Sequence, residues 1–147
     1  MSSWNLTKDG DVNFYEFLFK DHYSAGKNRK RKQKQFVGPG ENIVLRTDLY
    51  DAGFVWRKFF DKCIDERTGR PQAGVNCAVF RNEGSEISSE LIRQADAIAD
   101  VAWPGQRHYT YVDASKIRSS NPGFCFIKAG WRRCGITKKG LIVLERI

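Results

Sequence analysis

The chain has 147 residues, 41% of them hydrophobic and 29% charged, with a formal net charge of +8. This composition excludes a disordered chain and, with the length, predicts one globular domain over residues 1–147. No apolar run approaches the ~20 residues that cross a bilayer, and the N-terminus lacks a secretory pattern, so we expect a cytoplasmic protein with no membrane partner. The excess positive charge favours an anionic partner.

The cysteines and histidines argue against a metal site. The four cysteines are Cys63, Cys77, Cys125 and Cys134, and no two of them form a C-x-x-C pair. Because the chain also has only two histidines, the usual zinc ligand sets are missing and we expect no metal. Reduced thiols of a cytosolic protein are the interpretation that this spacing favours.

The N-terminal part predicts a helix followed by a basic segment. Residues 4–6 predict a short strand, and apolar residues such as Phe14 and Leu18 predict a helix that runs to about Tyr23. In the basic loop at residues 25–40, six cations occur without an acid among them: Lys27, Arg29, Lys30, Arg31, Lys32 and Lys34. Such a run is usually a solvated loop. The functional alternative is contact with nucleic-acid phosphates, whose affinity falls steeply with salt.

Two β-rich runs come next. Residues 43–50 and 54–60 are separated by residues 51–53, which predicts a hairpin with a three-residue turn that ends in a left-handed Gly53. Residues 61–74 are charged and predict a loop.

The central unit is a strand, a polar loop and a helix. Residues 75–80 form a short apolar run that predicts a buried strand, and residues 81–86 form a polar loop that contains Gly84. Apolar residues at three- and four-residue steps then predict a helix from Ser88 to about Trp103, where a proline follows. The free N–H groups and the dipole at the start of such a helix suit a phosphate. A plain strand–helix connection is the commoner alternative.

The last third of the chain predicts three further elements. Residues 108–112 predict a strand, and residues 124–129 predict a short helix that Gly130 ends. Residues 131–136 and 141–145 predict a final hairpin. The positive charge is concentrated in this part and in the early basic loop.

This order of elements resembles the GCN5-related N-acetyltransferase (GNAT) superfamily. The likeness covers roughly residues 40–147 and is carried by Asn121, the short helix, the pair Gly130 and Trp131, and the charged turn before the last apolar strand. It implies an α+β fold with a mixed, mostly antiparallel sheet and flanking helices. The sheet would splay between the strand at residues 75–80 and its successor, and acetyl-CoA or another acyl-CoA would lie in the split.

The resemblance also implies a set of cofactor contacts. They lie on the central strand, in the loop after it, at the start of the helix and before the short helix: Cys77, Val79, Phe80, Arg81, Gly84, Ser88, Ser89 and Asn121. Two residues depart from the family pattern. Glu86 stands where the phosphate loop has a small residue, and Phe126 stands where a tyrosine often protonates the leaving thiolate. Tyr23, Tyr109 or Tyr111 would have to replace that tyrosine, or the thiolate leaves unaided.

A fainter likeness within the superfamily is to phage Mom-type DNA-modification proteins. It rests on the stretch His22, Tyr23 and Ser24, on a serine at the cofactor helix, and on Asp113 followed by a glycine–aromatic pair. We therefore consider His22 and Asp113 as a general base or orienting group, Tyr23 as a catalytic aromatic, and Glu83 as a carboxylate that acts through water. A surface histidine and an aspartate that caps a turn are the alternatives for His22 and Asp113.

Three functions are compatible with these patterns. The first is an acyl-CoA-dependent N-acyltransferase that modifies an amine of a nucleic acid, DNA rather than RNA, with the target base flipped out of the stack. The second is an N-acetyltransferase for a small-molecule or protein amine. The third is a non-catalytic basic protein on the same fold that binds nucleic acid or acts as an inhibitor, and Phe126 and Glu86 favour it.

Overall fold

The computed structural model describes residues 2–19, 35–116 and 123–147 of the chain. Within these ranges the first elements are β1 (Asn5–Thr7), α1 (Val12–Phe19), β2 (Glu41–Arg46), β3 (Ala52–Lys58), β4 (Ile64–Asp65), β5 (Arg70–Pro71) and β6 (Val75–Asn82). They are followed by α2 (Ser88–Ala102), β7 (His108–Val112), a 3₁₀ turn (Ala114–Lys116), α3 (Phe124–Lys128), β8 (Arg132–Ile136) and β9 (Ile142–Arg146).

Seven of the strands form one sheet in the order β1-β2-β3-β6-β7-β9-β8, and β4 pairs with β5 separately. All neighbours in the large sheet are antiparallel except β6 and β7, which run parallel. A parallel pair requires a crossover connection, and α2 supplies it. The fold is therefore a mixed α+β arrangement with a mostly antiparallel sheet, which confirms the predicted fold class at this level.

Helix α2 covers one face of the sheet and is held there by three tryptophans. The indole N–H groups of Trp4 and Trp56 donate to backbone carbonyls of α2 at 2.8 and 2.9 Å. The indole of Trp131 donates to the Asp96 carboxylate at 2.9 Å. Each indole buries its ring while its N–H finds an acceptor, as buried tryptophans usually do. The apolar face of α2 that faces them is fully buried: Leu91, Ile92, Ala95 and Ala99.

Helix α1 covers part of the opposite face. Phe14 packs against Val44 and Val55 of the sheet, with the partly buried Val79 beside them. Gly53 in β3 lies directly beneath this helix, because a Cβ at that position would be 2.7 Å from Cε2 of Phe14. Gly53 is therefore required by the close approach of a ring and not by a turn.

The predicted hairpin turn at residues 51–53 was wrong. The turn lies at residues 47–51, between the end of β2 and the start of β3. The Thr47 hydroxyl closes it by donating to the Asp51 carboxylate at 2.6 Å. Tyr50, with a φ of 54°, adopts the left-handed conformation. A hydrogen bond between two side chains of the turn thus determines its position, and the position of Gly53 does not indicate where the turn lies.

The other predicted elements agree with the structure apart from small shifts. Helix α2 begins at Ser88 as predicted, and β7 has the predicted bounds. Strand β6 continues to Asn82, beyond its predicted end, because it stays paired with β3. The predicted loop at residues 61–74 contains the short β4–β5 pair. The predicted N-terminal helix is α1 as far as Phe19, and its continuation to Tyr23 lies outside the described residues.

Three further findings concern membranes, metals and thiols. Among the described residues, no helix is both long and apolar enough to cross a bilayer. The same residues contain no group of three His, Cys, Asp or Glu side chains placed to hold a metal ion. The four cysteines are free thiols.

A buried carboxylate fastens the β4–β5 loop to the sheet. The Glu145 side chain of β9 is 0% exposed and accepts hydrogen bonds from Arg67, Arg107 and Arg132. Burial acts to raise the pKa of Glu145, but the three guanidinium groups outweigh it and lower the pKa to about 2. Because Arg67 belongs to the loop between β4 and β5, this cluster holds that loop against β9.

Replacing Gly53 by alanine should destabilise the protein, because the new methyl group would collide with the Phe14 ring. Overpacking of this kind costs about 1–3 kcal/mol of unfolding free energy. Gly135→Ala is the matched control, since Gly135 also lies in a strand but has no described atom within 4 Å of its Cβ position. Urea denaturation of both variants, followed by tryptophan fluorescence, should give a lower midpoint for Gly53→Ala. Equal midpoints would contradict the packing of α1 on β3.

The Glu145 cluster predicts a component of stability that acid removes. A carboxyl group whose pKa is lowered by folding contributes fully above its unfolded pKa, and its contribution is lost as the pH falls through the folded pKa. For Glu145 the loss extends from about pH 4.5 down to about pH 2 and amounts to about 3 kcal/mol. Glu145→Gln lacks this component, so its unfolding free energy should fall less steeply over the same range. Urea midpoints of both proteins across this range test the prediction, and parallel curves would refute it.

Candidate functional site

Strands β6 and β7 separate partway along their length. Their parallel ladder runs from the pair Val75 and His108 to the pair Cys77 and Thr110, and the described residues beyond are not paired with each other. At the branching point the Thr110 hydroxyl donates to the Cys77 carbonyl at 2.9 Å. Ala78, the next residue of β6, is exposed although it lies inside a strand in the middle of the sheet. A gap therefore opens between the two strands.

A β-bulge accompanies this separation. Val55 of β3 pairs with Val79, and the next residue Trp56 pairs with Cys77, so that Ala78 has no partner in β3. An extra residue bends the strand that contains it. The bend lies where β6 leaves β7, and it directs the rest of β6 away from its former neighbour.

The gap contains a cavity of about 430 Å³, a volume in the range of small-molecule sites. The Phe80 and Phe126 rings on its walls meet edge to face, with centroids 5.9 Å apart. Asp113 and Lys116 are the charged residues of the lining. The full lining comprises Cys77, Ala78, Val79, Phe80, Thr110, Tyr111, Val112, Asp113, Lys116, Gly123, Cys125 and Phe126.

The structure brings some of the residues predicted from the sequence to this cavity. Four of them line it: Cys77, Val79, Phe80 and Asp113. Five others are described but lie outside the lining: Arg81, Glu83, Gly84, Ser88 and Ser89. The remaining candidates lie outside the described residues: His22, Tyr23, Asn121, Lys27, Arg29, Lys30, Arg31, Lys32 and Lys34.

Arg81 is directed toward α1 and not toward the start of α2. Its guanidinium donates to the carbonyls of Phe17 and Leu18 at 3.3 and 2.7 Å. It also pairs with Glu83 at 3.1 Å. Arg81 therefore links the end of β6 to carbonyls in the last described turn of α1. This differs from the phosphate contact that the resemblance implied for Arg81.

Asn82 organises the connection between β6 and α2. Its side-chain nitrogen donates to the Glu86 carbonyl at 2.8 Å and to the Ser88 hydroxyl at 2.9 Å, and its oxygen accepts the Gly84 amide at 3.0 Å. Gly84 fits here because a Cβ would lie 2.5 Å from Oδ2 of Asp51. The Ser88 hydroxyl, one of the predicted cofactor contacts, thus already has a protein partner.

The start of α2 is negatively charged. Ile87 is its N-cap and supplies no side-chain cap, and Glu90 lies in the first turn. Glu86 precedes the helix and accepts a hydrogen bond from the Ser3 hydroxyl. These carboxylates favour helix α2 through its dipole. Glu90 is paired with Arg93 of the same helix, so Glu86 is the carboxylate that would repel a pyrophosphate. Ser89, another predicted cofactor contact, is buried in the first turn.

Asp113 lies at the edge of the cavity and caps the turn that follows β7. Its carboxylate accepts the amide and the hydroxyl of Ser115 at 3.1 and 2.6 Å. The ammonium group of Lys116 lies 3.9 Å away. The Ser115 hydroxyl lowers the pKa of Asp113, so this carboxylate is a weak base at neutral pH. It is better suited to orient an ammonium group than to remove its proton.

The two tyrosines of β7 are bonded to one carboxylate. The hydroxyls of Tyr109 and Tyr111 each donate to Oδ2 of Asp61 at 2.7 Å. Burial is the main cause that raises the pKa of both phenols, and the Asp61 carboxylate raises it further. Both phenols therefore keep their protons in bonds to Asp61, while Phe126 lines the cavity at the position where the resemblance implied a tyrosine.

Two thiols line the same cavity. Burial raises the pKa of Cys77 and of Cys125 above the ordinary value. Both groups are therefore neutral thiols at physiological pH and are poor nucleophiles. They contribute to the wall of the cavity and not to chemistry.

Sequence reasoning missed three lining residues of interest: Thr110, Cys125 and Lys116. The period of two along β7 could have found Thr110, because it places this residue on the face opposite to Tyr109 and Tyr111. Lys116 carries no signal of its own, since an isolated surface lysine is common.

The free edge of β6 is the chemical feature of the cavity. Where a strand loses its neighbour on one side, alternate backbone N–H and C=O groups point into the gap and can bind an extended molecule that carries amides. No protein-family model, no curated protein and no solved structure matches this chain. The residues of the cavity and their geometry are therefore the basis of the function proposed for it.

Proposed function

We propose that this protein is an acyl-CoA-dependent N-acyltransferase with a GNAT-like fold, and that its acceptor is an amine of a nucleic acid. The observation that carries the proposal is the separation of β6 and β7 beyond Cys77 and Thr110. A parallel pair that opens around a cavity, with a helix after the first strand, is the arrangement that the sequence resemblance implies. A cytoplasmic location accompanies the proposal.

The cavity is compatible with the thioester arm of an acyl-CoA. That arm is an extended amide-bearing chain, and the free edge of β6 beyond Cys77 offers it hydrogen bonds as an edge strand would. Phe80 and Phe126 offer apolar contact. Lys116, the cation of the lining, can pair with a phosphate of the cofactor. Ser88 lies at the start of α2, where the resemblance implies a cofactor contact.

When bound, acyl-CoA would supply an acyl group activated as a thioester. Backbone N–H groups of residues 78–80 that point into the gap would polarise the acyl carbonyl, in the manner of an oxyanion hole. Asp113 would orient the amine of the acceptor. His22 and Tyr23 are the proposed base and proton donor on grounds of sequence alone, and Glu83, which is paired with Arg81, is the weaker carboxylate candidate.

The nucleic-acid acceptor is inferred from charge. The net charge of +8 and the run of cations at residues 27–34 are typical of contact with phosphates. Both described flanks of this run are anchored on the α1 face: the Leu18 carbonyl bonds to Arg81, and the Phe36 amide donates to Asp9 at 2.6 Å. DNA is the proposed substrate, and a target amine within a duplex would have to be flipped out. A small-molecule or protein amine is the alternative acceptor.

A non-catalytic nucleic-acid-binding protein on the same fold is the second candidate. Phe126 favours it, because a phenylalanine cannot protonate a thiolate. Glu86, which precedes α2, also favours it, because its carboxylate would repel a pyrophosphate. The two candidates differ in whether the cavity binds acyl-CoA.

Calorimetry with acetyl-CoA distinguishes them. We expect the wild-type protein to bind acetyl-CoA, and Ala78→Phe to weaken binding by at least about tenfold because the ring would fill the gap, a loss of about 1.4 kcal/mol. Ala97→Phe is the matched control, since Ala97 is also exposed but lies on α2 outside the cavity. Absence of wild-type binding at millimolar acetyl-CoA would favour the non-catalytic protein.

Mass spectrometry of nucleosides tests the acceptor. DNA from cells that express the protein should contain a nucleoside heavier by one acyl group, and cells that express Ala78→Phe should lack it. RNA from the same cells is the control for the choice of nucleic acid. Unmodified nucleosides in both pools, together with acetyl-CoA binding, would assign the enzyme to a small-molecule or protein amine.

A further inference from the structure

A second cavity lies beside Tyr111, the residue that also lines the cavity between β6 and β7. It has a volume of about 480 Å³ and lies between the segment that precedes β4 and the β8–β9 turn. Tyr111 and Tyr109 share one face of β7, and Thr110 lies on the other. The second cavity is therefore on the side of the sheet where Asp61 binds both phenols.

The first wall of this cavity is fastened to β7. Asp61 is buried, and besides the phenol of Tyr111 it accepts the amide of Cys63 at 2.9 Å. These bonds hold the backbone on both sides of Lys62. Farther along, Arg67 binds the buried Glu145. Lys62 and Ile64 thus project from a segment with a defined position.

The opposite wall is a tight turn that presents two lysines. The Thr137 amide donates to the Leu141 carbonyl at 2.9 Å, and the Thr137 hydroxyl accepts the Leu141 amide at 3.0 Å. Gly140, with a φ of 87°, completes the turn and donates to the Thr137 carbonyl. Lys138 and Lys139 lie at the tip of this turn and line the cavity.

The lysines differ from the arginines on the same side of the sheet in their partners. Three arginines bind Glu145, so their charge is already neutralised in part. Within the described residues, no carboxylate pairs with Lys62, Lys138 or Lys139, and Glu66 is the one acid of the lining. The cavity therefore has more lysines than acids in its lining, next to apolar surface from Ile64 and Leu141.

We propose that this cavity binds one nucleotide unit of a single-stranded or flipped-out nucleic acid. The phosphates would contact Lys62, Lys138 and Lys139, and the base would lie against Ile64, Leu141 and Tyr111. Phosphate contact with lysines and apolar contact with the base are the two interactions that single-strand sites combine. The inference rests on the proposed nucleic-acid acceptor, and it locates that acceptor on the far side of Tyr111 from the free edge of β6.

Binding of single-stranded DNA tests this site independently of acyl transfer. Fluorescence anisotropy with a labelled oligonucleotide of about 12 nucleotides, within the range of single-strand sites, measures affinity across a salt series. The double variant Lys138→Gln with Lys139→Gln should bind about tenfold more weakly. Its log–log salt dependence should be shallower by about 1.4, because each phosphate contact of a single strand contributes about 0.7.

The matched control is the double variant Lys8→Gln with Lys128→Gln, which removes the same charge from exposed residues that line neither cavity. It should change affinity less than twofold. Equal losses in both double variants would overturn the site and indicate a diffuse charge effect. If the Lys138 and Lys139 double variant loses binding to phosphatidylserine vesicles but still binds DNA, the nucleotide site is overturned in favour of contact with a membrane surface.

A second readout locates the base. Photocrosslinking of the wild-type protein to an oligonucleotide that carries 5-iodouracil should yield adducts at Tyr111 or within residues 137–141. Adducts confined to α2 would overturn the site. Acetyl-CoA calorimetry on the wild-type protein and on the Lys138 and Lys139 double variant separates the proposals. DNA binding that depends on these lysines, with no acetyl-CoA binding by the wild type, upholds this site and refutes the acyltransferase. Retained acetyl-CoA binding by the double variant shows that its loss of DNA binding is not a loss of folding.

Discussion

The cavity between β6 and β7 exists because the two strands stop pairing beyond Cys77 and Thr110. A strand inside a sheet normally bonds on both sides, and unpaired backbone groups in such a position are costly unless water or a ligand satisfies them. Here the bulge at Ala78 bends β6 away, and the Thr110 hydroxyl satisfies the Cys77 carbonyl at the branch. The indole bonds that hold α2 on the sheet keep the frame around the gap in place. An open edge within such a frame has the geometry to accept an extended polar molecule.

The arginines and the lysines of this protein make different contacts, because their charged groups differ in shape. Several arginines make structural contacts: Arg67, Arg107 and Arg132 converge on Glu145, and Arg81 donates to a carbonyl of α1. The planar guanidinium with several fixed donors suits such buried, multidentate contacts. The lysines of the second cavity have no carboxylate partner among the described residues and stay available to anions. Under the proposed function, the net positive charge would act through these lysines as well as through the run of cations at residues 27–34.

The candidate site could be predicted in part. The strand at residues 75–80 and the helix after it are visible as apolar patterns, whereas the separation of this strand from β7 was expected only from the resemblance. The direction of Arg81 was not visible, because it depends on α1 lying across the strand. The role of Asp61 was not visible in the sequence either, because Asp61 is distant in the chain from the two phenols that it binds. Contacts between residues far apart in sequence leave no local pattern to read.

The amino-acid sequence by itself determined most element boundaries, the apolar face of α2 and the absence of usual zinc ligand sets, because propensity, periodicity and residue spacing are local properties. The mixed α+β arrangement was expected from the resemblance that the order of these elements carries. Tertiary structure alone decided the hairpin turn at residues 47–51, the need for glycine at position 53 and the pairing of two tyrosines with Asp61. It also made Tyr111 a lining residue of two cavities. These features arise where one element packs against another, and such packing is a property of the whole sheet and not of any segment.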